Sequence, residues 1–312
     1  MFETALGVII LVVGIVLMMF SSEKAVEHSI IFASALGVSP LMIGLVLVSL
    51  GTDLPEIVNS LVSSALGHGN INVGDSIGSV LTQLTLVLGL LPFIIGSFRV
   101  KRKEIIVLGL CEILSLMLAI SIVEKGYISR INALFLVGSW PLYILLTEVM
   151  IGGDRKKNNL VRETRGKIYH ITLAILGFIG VAVGAYAVVQ SVIMLSTAFG
   201  ISEYFISFFL AAIGTSLPEL VVDITALRKG ESEIAIGDLI GSCIIDASFS
   251  MGIGQVFFPQ KISGELASIT ILYTIFASSM VIITLALREK VDKRAGTAFI
   301  TLYLLSYLLL TI

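Results

Sequence analysis

Residues 51–89 recur 163 positions later, and the two copies align without a gap. "GTDLPEIVNS…GNINVGDSIGSV" lies beside "GTSLPELVVD…ESEIAIGDLIGSC". The copies share 14 identities: Gly51, Thr52, Leu54, Pro55, Glu56, Val58, Gly67, Ile71, Gly74, Asp75, Ile77, Gly78, Ser79 and Gly89. Apolar segments often coincide by chance, but shared Thr, Pro, Glu, Asp and Ser do not. A fixed internal period of this kind means that two copies of one unit build the fold.

The medium in which that unit folds is read from hydropathy. The chain is 56% hydrophobic and 13% charged, with a mean hydropathy of +1.04. A soluble domain is typically about 25% charged. Apolar runs long enough to cross a bilayer recur near 4–20, 29–66, 70–95, 104–123, 130–150, 168–192, 202–228, 234–258, 265–287 and 295–312. The second and seventh exceed one simple crossing, and each contains the proline motif. The first run lacks a basic leader and a small-residue cleavage site, so it reads as a transmembrane helix rather than a signal peptide. Cys111 and Cys243 fall inside spans without metal spacing and read as buried small residues.

Basic residues set the orientation. Lys24; Arg99, Lys101, Arg102, Lys103; Arg155, Lys156, Lys157, Arg162, Arg165, Lys167; Arg228, Lys229; and Arg288, Lys290, Lys293, Arg294 all fall in odd-numbered loops. The even-numbered loops hold only Lys125, Arg130 and Lys261. The positive-inside rule makes the odd loops cytoplasmic and both termini extracellular, in a cell membrane. Ten spans in two copies give five per copy, and an odd number inverts the second copy relative to the first. The expected fold is therefore an all-α integral membrane protein. It has ten transmembrane helices as two inverted five-helix repeats, with broken helices at the GTxLPE motifs. Residues 1–151 form the first repeat, 152–167 a basic, solvated cytoplasmic linker, and 168–312 the second repeat. The linker is too short for a soluble regulatory domain. Inverted repeats with interrupted helices characterise secondary transporters, whose site lies near the midplane.

The motif supplies a reason for the interruption. Proline lacks a backbone donor, so Pro55 frees the carbonyl of Gly51 and Pro218 that of Gly214. Freed carbonyls in a membrane must be met by protein, water or an ion. Thr52, Glu56 and Ser60 lie at helical spacing, as do Thr215, Glu219 and Asp223. Asp75, Ser79 and Gln83 repeat the spacing on the next helix, as do Asp238, Ser242 and Asp246. Four such stripes can meet at one polar cavity.

Every group in the stripes offers oxygen. Residues 51–90 hold Asp53, Glu56 and Asp75 with no Lys or Arg. A carboxylate in the bilayer core costs several kcal/mol unless paired or protonated. The missing counter-charge is a cation or a proton, which argues strongly against an anion carrier. Carboxylate, carbonyl and hydroxyl ligands suit Ca²⁺, Na⁺ or Mg²⁺, whereas Zn²⁺ or Cu²⁺ favour His or Cys. The histidines, His28, His68 and His170, all lie near span ends. Asp75 and Asp238 read most simply as acids near a helix N-terminus.

Two copies of G-T-x-L-P-E, each followed some 20 residues later by G-D-x-I-G-S, resemble the alpha repeats of the sodium/calcium exchanger family in the cation/calcium antiporter superfamily. The resemblance covers both repeats. It implies a Na⁺/Ca²⁺ antiporter working by alternating access, with Glu56 and Glu219 as the main calcium ligands. Thr52, Thr215, Ser79, Ser216 and Ser242 match the family's polar ligands, and Gln83 and Asp246 stand where it has Asn or Asp. The first and sixth helices would slide as a pair, helped by Gly7, Gly14, Gly177, Gly180 and Gly184. Three features depart from the family. Asp53 replaces its usual Ser, and Gln83 is longer by a methylene. Asp75 and Asp238 stand where Asn is common, and Asp223 where a small or hydroxyl residue is. Asp53 joins the candidate metal ligands on this account.

The expected cargo is Ca²⁺ and Na⁺, with proton-coupled Ca²⁺ or Mg²⁺ exchange on the same scaffold as the alternative. A cation channel and an intramembrane aspartyl protease using the two "GD" pairs are more remote. The protease would leave the paired L-P-E motifs unexplained. The chain reads as no enzyme, with no permanently bound cofactor. Its partners are the transported cations and the lipid bilayer, with no nucleic acid and no obligatory protein partner.

Overall fold

A computed structural model describes residues 2–33, 49–151 and 167–310. The middle of the second expected span and nearly all of the expected linker lie outside the described residues. The first repeat contains α1 (Phe2–Ala33), α2 (Ser49–Thr52), α3 (Leu54–Ala65), α4 (Gly69–Leu81), α5 (Leu88–Ile94), α6 (Arg102–Val123) and α7 (Arg130–Ile151). The second contains α8 (Lys167–Phe199), α9 (Glu203–Ile206), α10 (Ala212–Thr215), α11 (Leu217–Arg228), α12 (Ser232–Ile245), α13 (Met251–Phe257), α14 (Gly264–Arg288) and α15 (Lys293–Leu310). Short π-helical stretches join α4 to α5 (Thr82–Val87), α9 to α10 (Ser207–Ala211) and α12 to α13 (Asp246–Ser250).

Among the described residues, eight helical stretches are long and apolar enough to cross a membrane. The second expected span ends in α2 and α3, and α15 supplies the tenth. The two motif helices stop alike. Gly67 (φ 88°) and Gly230 (φ 81°) are repeat mates, and both take the left-handed conformation that ends α3 and α11.

Two small antiparallel ladders repeat the same symmetry. The strands are β1 (Phe98–Arg99), β2 (Tyr127–Ile128), β3 (Gln260–Lys261) and β4 (Lys290–Val291). β1 pairs with β4 and β2 with β3, so each ladder joins a connection of one repeat to a connection of the other. β3 and β4 stand one repeat period after β1 and β2, so the inverted two-fold relation turns one ladder into the other.

The polarity is that of a membrane protein. Ile9, Val13, Phe20, Phe135, Leu142 and Leu272 are exposed, while polar side chains including Glu56, Asn72, Gln83, Glu219 and Asp246 are fully or almost fully buried. Within the bundle α1 and α8 form a separate apolar layer around Leu11, Ile15, Met18, Val181, Val188 and Val192. The first helix runs well past its expected end at residue 20. No Gly or Pro falls between Ile15 and Ala33 to stop it, so it continues beyond the apolar zone. With 32 and 33 residues, α1 and α8 are each about 50 Å long, against a hydrocarbon core of about 30 Å.

The two long helices run antiparallel at close range. A Cβ on Gly184 would sit 2.8 Å from the Gly14 carbonyl oxygen and 2.6 Å from Met18 Cγ, and one on Gly7 would sit 3.1 Å from Leu195 Cγ. Gly180 faces Ser21 in the same seam. Small residues at such a crossing let backbones approach. Gly184→Ala is expected to cost about 1–3 kcal/mol. The check is the midpoint of thermal unfolding in detergent, and an unchanged midpoint would show that the seam is looser than the geometry implies.

Candidate functional site

Each repeat interrupts its motif helix at one residue. Asp53 (φ −74°, ψ 2°) separates α2 from α3, and its mate Ser216 (φ −83°, ψ 6°) separates α10 from α11. The chain stays hydrogen-bonded across both breaks. Asp53 N donates to Ser49 O at 2.8 Å and Ile57 N to Asp53 O at 3.0 Å; Ser216 N donates to Ala212 O at 3.1 Å and Leu220 N to Ser216 O at 3.3 Å. Pro55 and Pro218 come after each break, within the first two residues of the new helix. A missing N–H at that position does not weaken the new helix, but it costs the preceding turn a bond.

All ten side chains expected as ligands are buried: Thr52, Asp53, Glu56, Ser79, Gln83, Thr215, Ser216, Glu219, Ser242 and Asp246. Asp53, Glu56 and Glu219 each present a carboxylate oxygen, and these oxygens lie within 4.8 Å of one another. The cluster therefore draws on both repeats. Thr52 and Asp53 also approach the Glu219 carboxyl, and Ser242 faces Asp53. Ser79 Oγ and Thr215 Oγ1 share a hydrogen bond of 3.4 Å across the repeat boundary.

Gln83 and Asp246 lie in the two mated π-helical stretches, whose wider turn differs from the α-ladder on either side. Cys243 Sγ donates to Gln83 Oε1 at 3.2 Å, which leaves Gln83 Nε2 to donate to Asp246 Oδ2 at 3.2 Å. The additional methylene of Gln83 is thus used to reach the opposite repeat.

The donor inventory does not close. Both oxygens of Asp53, Glu56 and Glu219, Asp246 Oδ1, and the hydroxyls of Ser216 and Ser242 are buried without a hydrogen-bond partner. Among the described residues, no lysine or arginine pairs with Glu56 or Glu219; the basic side chains Lys101 and Arg288 pair with Glu104, Glu233 and Asp292 instead. Unmet buried carboxylates and hydroxyls of this kind fit a hard cation, which takes oxygen ligands and supplies the missing charge.

Two expectations change. Asp75 and Asp238 are not helix N-terminal acids: they lie nearly two turns inside α4 and α12, held by side chains. Asp75 Oδ2 accepts from Asn59 Nδ2 at 2.6 Å and Oδ1 from Thr215 Oγ1 at 3.3 Å, while Asp238 Oδ1 accepts from Ser49 Oγ at 3.1 Å. Ser60 leaves the polar stripe, because its hydroxyl accepts from Gly254 N at 3.1 Å and serves packing. Asn59 and Ser49 escaped the sequence reading. Their signal was helical spacing from Glu56 and Thr52, on a face that looked merely small and polar.

The profile of the family described as "Sodium/calcium exchanger protein" matches residues 6–148 and 169–312. An uncharacterized membrane protein of Methanocaldococcus jannaschii is 30% identical over 234 residues, 74% of each chain. The sodium/calcium exchanger MaX1 of Methanosarcina acetivorans is 30% identical over 129 residues, 41% of this chain and 37% of its own. Among solved structures, the sodium-calcium exchanger NCX_Mj soaked with 2.5 mM Na⁺ and 10 mM Sr²⁺ superimposes with a TM-score of 0.65 at 28% identity. That match covers 98% of this chain and 99% of the other.

Proposed function

This chain belongs to the sodium/calcium exchanger family, and from that premise we propose that it exchanges Na⁺ for Ca²⁺ by alternating access. The family's members are transporters rather than enzymes. The observation that carries the reading is the three-carboxylate cluster of Asp53, Glu56 and Glu219, assembled from both repeats and buried without a basic partner.

Glu56 and Glu219 are the proposed principal ligands, aided by Asp53, Asp246, Gln83 and the hydroxyls of Thr52, Thr215, Ser79, Ser216 and Ser242. Ca²⁺ takes about 6–8 oxygens at about 2.3–2.6 Å, and this set with freed backbone carbonyls can approach that number. The charge of the two glutamates equals that of one Ca²⁺ or of two Na⁺. Shared carboxylates make the ions compete, so one must leave before the other is carried. Occupancy then sets the coupling: the bare acids oppose reorientation, and either ion relieves them. Residues 1–151 and 168–312 act as the two inverted halves joined by the basic linker. We place the protein in a cell membrane with both termini outside and the odd-numbered loops in the cytoplasm, from the Lys and Arg distribution.

The test is flux in proteoliposomes with Na⁺, H⁺, Ca²⁺ and Mg²⁺ varied singly. An outward Na⁺ gradient should drive Ca²⁺ uptake, and external Ca²⁺ should accelerate the exit of labelled internal Ca²⁺. A channel would give no such acceleration. One feature favours a second reading: the first repeat has Asp53 where the second has Ser216, so the central cluster holds a carboxylate beyond the two glutamates. Uptake driven by a pH gradient in sodium-free vesicles would establish proton coupling in place of sodium coupling.

A further inference from the structure

The thiol of Cys243 completes a contact between the two repeats. Gln83 and Asp246 are repeat mates, and so are Val80 and Cys243. Mates that touch lie on the two-fold axis of the repeats, where identical side chains would meet their own likeness and two acids would repel. Here the mates are unequal and complementary. Gln83 Nε2 donates to Asp246 Oδ2 at 3.2 Å. Cys243 Sγ stands 3.2 Å from Gln83 Oε1 and 3.8 Å from the Val80 carbonyl oxygen. Gln83, Cys243 and Asp246 are all fully buried. Cys243 and Asp246 are three residues apart where α12 runs into its π-helical stretch, so they share a face and both meet the one amide.

These two contacts fix each other. A carboxylate oxygen only accepts, so the amide presents Nε2 to Asp246. Oε1 is thereby turned to the other side, and a buried acceptor needs a donor of its own. The thiol is that donor, and its single proton goes to the nearer oxygen. Val80, its repeat mate, has no side-chain proton to give, so the chain of bonds runs in one sense, from thiol to amide to carboxylate. We propose that Cys243 is a positioning residue for the ion site: it locks the Gln83 amide, so that Gln83 acts on the ion through Asp246 rather than through its own oxygen. Asp246 Oδ2 is tied by Gln83, while Oδ1 is buried without a partner and is the oxygen left for a cation. Without the thiol, Gln83 Oε1 has no donor, the amide turns, and Asp246 loses its brace. Cys111, the other thiol, lies 3.9 Å from Thr147 Oγ1 and touches none of these groups. The inference rests on the antiport reading for its cargo, but the orientation of Gln83 is independent of it.

The experiment measures the Ca²⁺ dissociation constant and Na⁺-driven uptake of the full chain, with infrared spectra of the same protein. Cys243→Val installs the side chain of the first repeat and removes the donor, whereas Cys243→Ser keeps one. Groups that hold a metal ligand in place typically contribute about 10- to 100-fold in affinity, so Cys243→Val should weaken Ca²⁺ binding about tenfold and raise KM to match, with little change in kcat. Cys243→Ser should recover most of that loss. Gln83→Leu should weaken binding as well, and adding Cys243→Val to it should cost nothing further, because the thiol acts only through that amide. Cys111→Ser should bind Ca²⁺ as the unaltered protein does. In the infrared, the S–H band that disappears in Cys243→Ser should lie at the frequency of a hydrogen-bonded thiol and move up in Gln83→Leu. Additive losses in the double variant, equal losses in Cys243→Val and Cys243→Ser, or an S–H band that Gln83→Leu does not move would each overturn the proposal. If the protein carries no Ca²⁺, the antiport reading fails, and the infrared shift alone decides whether the thiol orients Gln83.

Discussion

Glu56→Gln and Glu219→Gln are each expected to lower Na⁺-driven calcium uptake by about a hundredfold or more, which corresponds to about 3 kcal/mol of lost ion stabilisation. The substitution keeps the side-chain volume, removes one charge and turns one oxygen into a donor that points at a cation. The fold should tolerate it. Neither carboxylate has a hydrogen-bond partner, so the protein loses no bond and gains relief from mutual repulsion within the cluster of Asp53, Glu56 and Glu219. Thermal unfolding in chelator should therefore occur at the same temperature or higher. Added Ca²⁺ at a hundred times its dissociation constant stabilises a single-site protein by about 2.7 kcal/mol. That calcium-dependent increment should shrink in both variants. Retained uptake in either one would remove that glutamate from the site.

The second large effect is structural. Gly74 and Gly78 form a shallow groove along α4 that receives the backbone of the second repeat. A Cβ on Gly74 would stand 2.5 Å from the Tyr204 carbonyl oxygen. One on Gly78 would run into the Phe208 carbonyl and stand 2.8 Å from Ala212 Cβ. These obstacles are largely main chain and cannot rotate aside. Gly78→Ala should cost about 1–3 kcal/mol, and the double change with Gly74→Ala more. The loss should reach function even in protein that folds, because the next residue, Ser79, bonds Thr215 across that same contact. Gly138→Ala is the control: Gly138 has no heavy atom within 4 Å of its added Cβ and should behave as the unaltered protein. Equal unfolding midpoints for Gly78→Ala and Gly138→Ala would mean that the groove is not a close contact.

These sites were unequally legible in the sequence. The helix breaks at residues 53 and 216 were readable, because a proline and a glycine in an apolar run leave few backbone alternatives. The convergence of Glu56 with Glu219 was readable too, since an inverted repeat brings mated residues to one axis. The π-helical stretches carrying Gln83 and Asp246 were not, because their sequences, "TQLTLV" and "DASFS", contain no residue that forbids an α-helix. The overrun of α1 past residue 20 was missed for a related reason: hydropathy marks where the membrane ends, not where the helix does. Asp75 and Asp238 looked equivalent in sequence and differ in surroundings, because Asn59 and Val222 lie on a neighbouring helix. Glu112 was a readable signal left unread, a lone acid in an apolar span. It is buried in α6, where its Oε1 accepts from Ser278 Oγ of α14 at 2.8 Å.

The pairings β1·β4 and β2·β3 have a mechanical consequence. Each ties a turn of one half to a turn of the other, and together they stitch the bundle crosswise near both of its ends. Strain between the halves is thus resisted at both membrane faces. Whatever shifts when an ion is handed across must slip past this stitched frame, and the long pair α1 and α8 carries neither seam.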